Sequence, residues 1–143
     1  MAKIFVCIKQ VPDTEAKVKI SPSQEGIDGA GIKWVMNPYD EYAVEEAVKI
    51  RDAKPGPQVF VVSVGPKQRV IESLRTALAM GADEAIVVDA PENLDSLSTA
   101  KVLAEVIKAE GDASLVLMGK LSIDDNQSSV PQMTASFLGF SHT

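Results

Sequence analysis

Apolar residues fall along the chain in short blocks that alternate between two spacings. Residues 3–9 are apolar and partly β-branched, and the pattern stops at Gln10, Val11, Pro12 and Asp13, which predicts a first strand. Val18 and Ile20 then alternate with Lys17 and Lys19, residues 21–26 (SPSQEG) make a turn, and residues 32–35 offer a partner. The spacing predicts a small β-hairpin inserted near residues 17–35. Asn37 and Pro38 open a helix: Asn37 suits the N-cap, Pro38 the first helical position, and Asp40 and Glu41 the positive end of the dipole. Ala43, Val44, Ala47, Val48 and Ile50 follow near helical spacing, and Pro55-Gly56-Pro57 should end the helix.

Residues 58–64 (QVFVVSV) are almost continuously apolar, as in strands buried on both faces of a parallel sheet. A helix through Ile71, Leu74, Ala77 and Leu78 stops at Gly81, and residues 84–88 (EAIVV) make the next strand. Residues 98–110 read as a helix with Val102, Leu103, Val106 and Ile107 inward and Gly111 at its stop. Residues 114–118 (SLVLM) form another strand. A polar loop over 119–132 leads to a last helix through Met133, Phe137 and Leu138. Strand and helix alternate, so the expected fold is α/β: a single domain over 1–143 with a doubly wound, mostly parallel sheet and right-handed crossovers.

Composition narrows the function. Fourteen Lys and Arg against 20 Asp and Glu give a net charge of -6, which disfavours nucleic acid as a partner. No apolar run is long enough for membrane insertion, and residues 1–9 are too soon charged for a signal peptide. With one cysteine, Cys7, and one histidine, His142, an internal disulfide and a His/Cys zinc cluster are excluded. These features fit a cytoplasmic protein.

Ligands of open α/β sheets bind beyond the carboxyl ends of the strands. Residues 8–13, 63–66, 88–89 and 119–129 are expected there. The last segment is the most informative, because small and polar residues run straight into a helix start. Its amides, with the Ser128 and Ser129 hydroxyls, can hold a phosphate. Alternatively, Asp124, Asp125 and Ser128 only cap the last helix. No G-x-G-x-x-G follows the first strand, and Gly119-Lys120 lacks the rest of a P-loop. Cys7 reads as a small buried residue, Trp34 as hairpin packing, and Asp40, Glu41, Glu45 and Glu46 as a solvated helix face.

Five stretches together resemble the β subunit of electron transfer flavoprotein: residues 6–14 (VCIKQVPDT), 36–47 (MNPYDEYAVEEA), 62–66 (VSVGP), 74–83 (LRTALAMGAD) and 115–120 (LVLMGK). They follow the family's order and spacing over essentially the whole chain. The resemblance implies an adenine-nucleotide α-hydrolase-like sheet and a non-catalytic subunit that holds AMP in a structural role. It implies an α-subunit partner carrying the redox FAD, flavin dehydrogenases as donors, and acceptors leading towards the respiratory chain. The location is then the bacterial cytoplasm or, in a eukaryote, the mitochondrial matrix. The family's AMP pocket maps onto Cys7, onto Asn37, Pro38, Tyr39 and Asp40, onto Val64, and onto a phosphate loop. That loop comprises Ser122, Ile123, Asp124, Asp125, Asn126, Gln127, Ser128, Ser129, Val130, Pro131 and Gln132.

Two departures qualify the resemblance. The family loop reads D-D-D-x-N-Q-T-G-Q, whereas here Pro131 takes the glycine position and removes an N–H donor. The chain also stops at Thr143, while family members run well past two hundred residues. A form without the dehydrogenase-recognition loop and C-terminal arm is expected not to dock dehydrogenases in the usual way. Other readings are a β subunit of the electron-bifurcating type, with FAD in the pocket, and a stand-alone nucleotide sensor resembling universal stress proteins. The latter class carries a G-x-x-G loop that is absent here. An adenylate-forming ligase would need a pyrophosphate loop after the first strand, and residues 9–12 (KQVP) do not make one.

Overall fold

The β-branched blocks form the strands and the 3.6-spaced blocks form the helices, in a computed structural model that describes residues 1–53 and 56–143. The central sheet is parallel, in the order β5-β4-β1-β6. Its strands are β1 (Lys3–Cys7), β4 (Gln58–Gly65), β5 (Glu84–Asp89) and β6 (Ala113–Met118). Val6 lies opposite Val61 on one side and Leu117 on the other. The connections run through α1 (Pro38–Ala53), α2 (Lys67–Ala79) and α3 (Ser96–Glu110), and α4 (Val130–Leu138) follows β6. Pro55, part of the expected stop of α1, lies outside the described residues.

Alternation along each strand splits the core in two. Ile4, Val6, Val59 and Val61 pack with Val44 and Ala47 of α1 and Leu74 and Ala77 of α2. Phe5, Cys7, Phe60 and Val62 face Leu103 and Ile107 of α3 on the other side. The sheet is therefore doubly wound, as the sequence predicts. From β1 the chain moves outward through β4 to β5. It then crosses back over α3 to place β6 on the far side of β1. The strand order reverses between β1 and β6, and the connections leaving their carboxyl ends run to opposite faces of the sheet, which leaves a crevice.

The small antiparallel hairpin is present, but its paired strands differ from those expected. β2 (Gln10–Pro12) pairs with β3 (Trp34–Met36), and residues 17–20 contribute only an Ile20–Ile27 bridge. The reason is burial. Val11 is fully buried, whereas Val18 and Ile20 are 60% and 75% exposed. Pro12 fits because it ends its strand. The hairpin is fastened to α2: Gln10 Nε2 donates to the Arg69 carbonyl at 2.8 Å, and the Arg69 guanidinium lies 3.7 Å over the Trp34 ring. Trp34 thus packs in the hairpin and also stacks on an arginine. No helix among the described residues is long and apolar enough to cross a membrane.

Candidate functional site

A cleft of about 890 Å3, including the solvent at its mouth, opens at the switch point. Its floor is Cys7, Ile8 and Lys9 at the end of β1 and just beyond it, Val64 near the end of β4, and Met118 to Ser122 at the end of β6 and beyond it. One wall is Asn37, just before α1, and Asp40 in its first turn. The opposite wall comes from Pro91, Glu92, Leu94, Ser96, Thr99 and Leu103. Asp125 and residues 127–131 complete the rim.

Asp40 is 5% exposed and sits between the ends of β1 and β6. Its Oδ2 accepts from the Lys9 amide at 2.7 Å, and its Oδ1 accepts from the Gly119 amide at 2.9 Å. Burial raises its pKa to about 6, against the two amides, Asn37 and the nearby Lys9 ammonium, which favour the charge. The sequence reading of Asp40 as part of a solvated face is therefore corrected. A long-range pair of amides captures the side chain.

Asn37 is corrected too. Its carbonyl accepts the first helical amides, but its side chain does not cap α1. Nδ2 donates to the Leu121 carbonyl at 2.9 Å, and Oδ1 accepts from the Ile123 amide at 3.1 Å. The Lys9 ammonium reaches Ser122 Oγ at 3.2 Å, Asp124 Oδ1 at 2.9 Å and Asp125 Oδ2 at 3.0 Å. Three side chains from β1 and α1 thus hold the loop after β6. Asp124 and Asp125 are compensated by one lysine, and among the described residues no cluster of three or more His, Cys, Asp or Glu can hold a metal.

The capping alternative for Asp124, Asp125 and Ser128 does not hold. Ser128 Oγ donates to the Lys120 carbonyl at 3.1 Å, and Asp125 Oδ1 accepts from Ser122 Oγ at 2.6 Å. Ser129 occupies the N-cap of α4 without a side-chain cap bond, and Pro131 lies in the first turn. The Val130 and Gln132 amides find no protein acceptor among the described residues. This helix end faces the cleft with unused donors, the arrangement that suits an anion.

Of the residues named from the sequence, Cys7, Asn37, Asp40, Val64, Ser122, Asp125 and residues 127–131 come together around the cleft. Pro38, Tyr39, Ile123, Asp124, Asn126 and Gln132 do not line it. Tyr39 is exposed, and Ile123 acts through its amide. Cys7 is buried, and burial together with the Asp40 charge pushes its thiol pKa up, so it is a small apolar floor residue. The wall from Pro91 to Leu103 was missed. Its signal was the strand end at Val88 and Asp89, because the loop that follows such an end also faces the crevice.

An open parallel sheet with a cleft and an uncapped helix end at its switch point defines an α/β domain with a candidate ligand site. Residues 26–143 match the family model described as the electron transfer flavoprotein domain. The chain is 41% identical over 139 residues to the electron transfer flavoprotein subunit beta of Bradyrhizobium diazoefficiens, covering 97% of this chain and 55% of the relative. It is 44% identical over 140 residues to the human subunit beta, covering 95% and 54%. The Dictyostelium discoideum subunit beta is 41% identical over 138 residues, covering 96% and 54%. The chain belongs to the electron transfer flavoprotein family, on the side of its beta subunits. It spans about half the length of the curated relatives it matches.

Proposed function

We propose that the chain serves as a beta subunit of an electron transfer flavoprotein. In this reading it binds AMP as a structural ligand, has no catalytic residue of its own, and pairs with an α subunit that holds the redox FAD. The complex takes electrons from flavin dehydrogenases and passes them towards the respiratory chain, in the bacterial cytoplasm or mitochondrial matrix. The domain is single over 1–143.

The observation that carries the reading is the uncapped start of α4 at the rim of the switch-point cleft. The residues present fit the ligand. Cys7, Val64 and Met118 offer a small apolar surface to an adenine. The Val130 amide, the Ser129 hydroxyl and the Lys120 ammonium are donors for a phosphate. The carboxylates at the rim are compensated: Glu92 pairs with Arg69, and Asp125 with Lys9. Lys120 takes no ion-pair partner among the described residues. Bound AMP supplies no redox chemistry; it fills the cleft and satisfies the helix end.

The test is nucleotide content. The chain is purified with the α subunit, the nucleotide is released by heat, and its mass is measured. One AMP per chain is expected. A second FAD per complex would move the chain to the electron-bifurcating type, and an absence of nucleotide would overturn the reading.

A further inference from the structure

The Asp40 carboxylate joins two strand ends at the point where the sheet must part to admit a ligand. Lys9 follows β1 and Gly119 follows β6, beyond the last ladder pair of Cys7 and Met118. The fit is close. A Cβ at Gly119 would press into the carboxylate, so this position is open only to glycine. Asn37, one turn back on α1, holds the next stretch through Leu121 and Ile123. The first turn of α1 thereby sets the spacing of β1 and β6 and the course of the loop that reaches α4.

We propose that Asp40 is a positioning residue whose ionisation sets the shape of the nucleotide cleft, so that protonating it loosens the β1–β6 junction and weakens ligand binding. The proposal rests on the cleft being a nucleotide site. An ionised carboxylate accepts well at both oxygens, while a protonated one keeps a single strong acceptor for two amide donors. One strand end is then released. The groups around Asp40 are Lys9 and Cys7 at the end of β1, Asn37 just before α1, Tyr39 and Glu41 on α1, and Lys120 beyond β6. The end of β4 contributes Ser63 and Val64, which carry no charge. Asp125 and Glu92 also line the cleft but are engaged by Lys9 and Arg69. Burial places the Asp40 titration within a range a cell can reach, with a pKa of about 6.

The test uses adenosine as the probe, because it carries no phosphate that titrates in this range. Its Kd is measured between pH 7.5 and pH 5.0 for the full chain and for Asp40→Asn. For the natural sequence, affinity should fall about tenfold across the range, with its midpoint near the Asp40 pKa. Asp40→Asn should bind weakly and without pH dependence, since an amide presents one acceptor and one donor to the same two amides. Where that variant fails to fold, the Lys9 and Gly119 amide proton shifts of the natural chain give a second reading. They should move together with one midpoint near pH 6. A flat adenosine affinity with flat amide shifts overturns the proposal, as does an Asp40→Asn profile that matches the natural one. If adenosine binds at no pH, the nucleotide reading fails, while the amide titration still decides whether Asp40 ties the strand ends in a protonation-dependent way.

Discussion

Gly119 shows how a single residue can constrain the site. A side chain there would meet the Asp40 carboxylate and lie 2.8 Å from Tyr39 Cβ and 2.9 Å from its carbonyl carbon. Gly119→Ala should therefore destabilise the fold by about 1–3 kcal/mol, the usual cost of overpacking. Urea unfolding would show this as a lower midpoint, and an unchanged midpoint would mean that α1 moves aside freely. The residue scale is also where the sequence was hardest to read. Asp40 and Glu41 are adjacent acids in one helical turn, yet one is buried and the other exposed. The partners of Asp40 lie 31 and 79 residues away, and those of Asn37 lie 84 and 86 away. Neither distance leaves a mark in local spacing. Cys7, by contrast, was legible as a small buried residue, because its place in an apolar strand determines its surroundings.

At the scale of elements, the helices and sheet strands follow from periodicity alone, to within a residue or two at their ends. α3 begins at Ser96 rather than 98 because Asp95 caps it, accepting from the Ser98 amide at 2.7 Å. The hairpin was the element read least well. A period of two at residues 17–20 looks like a half-buried strand, but without a sheet face beneath it the pattern has nothing to bury against. α4 carries a prediction of its own. Pro131 removes one donor from a helix end that otherwise has free amides. On the proposed reading, Pro131→Ala should tighten AMP binding about fivefold, as one added amide donor is worth roughly 1 kcal/mol. Adenosine affinity should not change. Calorimetric titration with both ligands checks this, and equal effects on the two would separate Pro131 from the phosphate.

For the whole molecule, the carboxylates pull stability in opposite directions with pH. The Asp40 pKa is raised to about 6, so between pH 4 and 6 the unfolded chain is ionised there while the folded chain keeps the proton. Its contribution falls as pH rises through that window and is flat above it. Asp95 and Asp125 have lowered values, Asp95 through its amide and hydroxyl bonds to Ser98. Asp125 has bonds from Ser122 and Lys9 that outweigh its burial. Their stabilisation is present above the unfolded value of 3.8 and is lost as pH falls through the lower folded value. The difference in unfolding free energy between the natural chain and Asp40→Asn should thus shift by about 2 kcal/mol between pH 4.5 and pH 7.0. The natural chain should be relatively stronger at the acid end. Denaturant curves at the two values measure it, and a constant difference would show that Asp40 does not titrate in the window. The group that shapes the cleft is then one that costs stability when charged.

The chain's own order of apolar and polar residues determined the α/β class, the parallel sheet, the two-sided core and the location of the cleft at the strand ends. Each follows from the repeat lengths of helix and strand and from the right-handed crossover, which act over a few residues at a time. Only the tertiary structure decided which polar side chains face the cleft and which are consumed in building it. Hydrogen bonds to backbone amides are settled by proximity in space, and here they join residues that chain order keeps far apart.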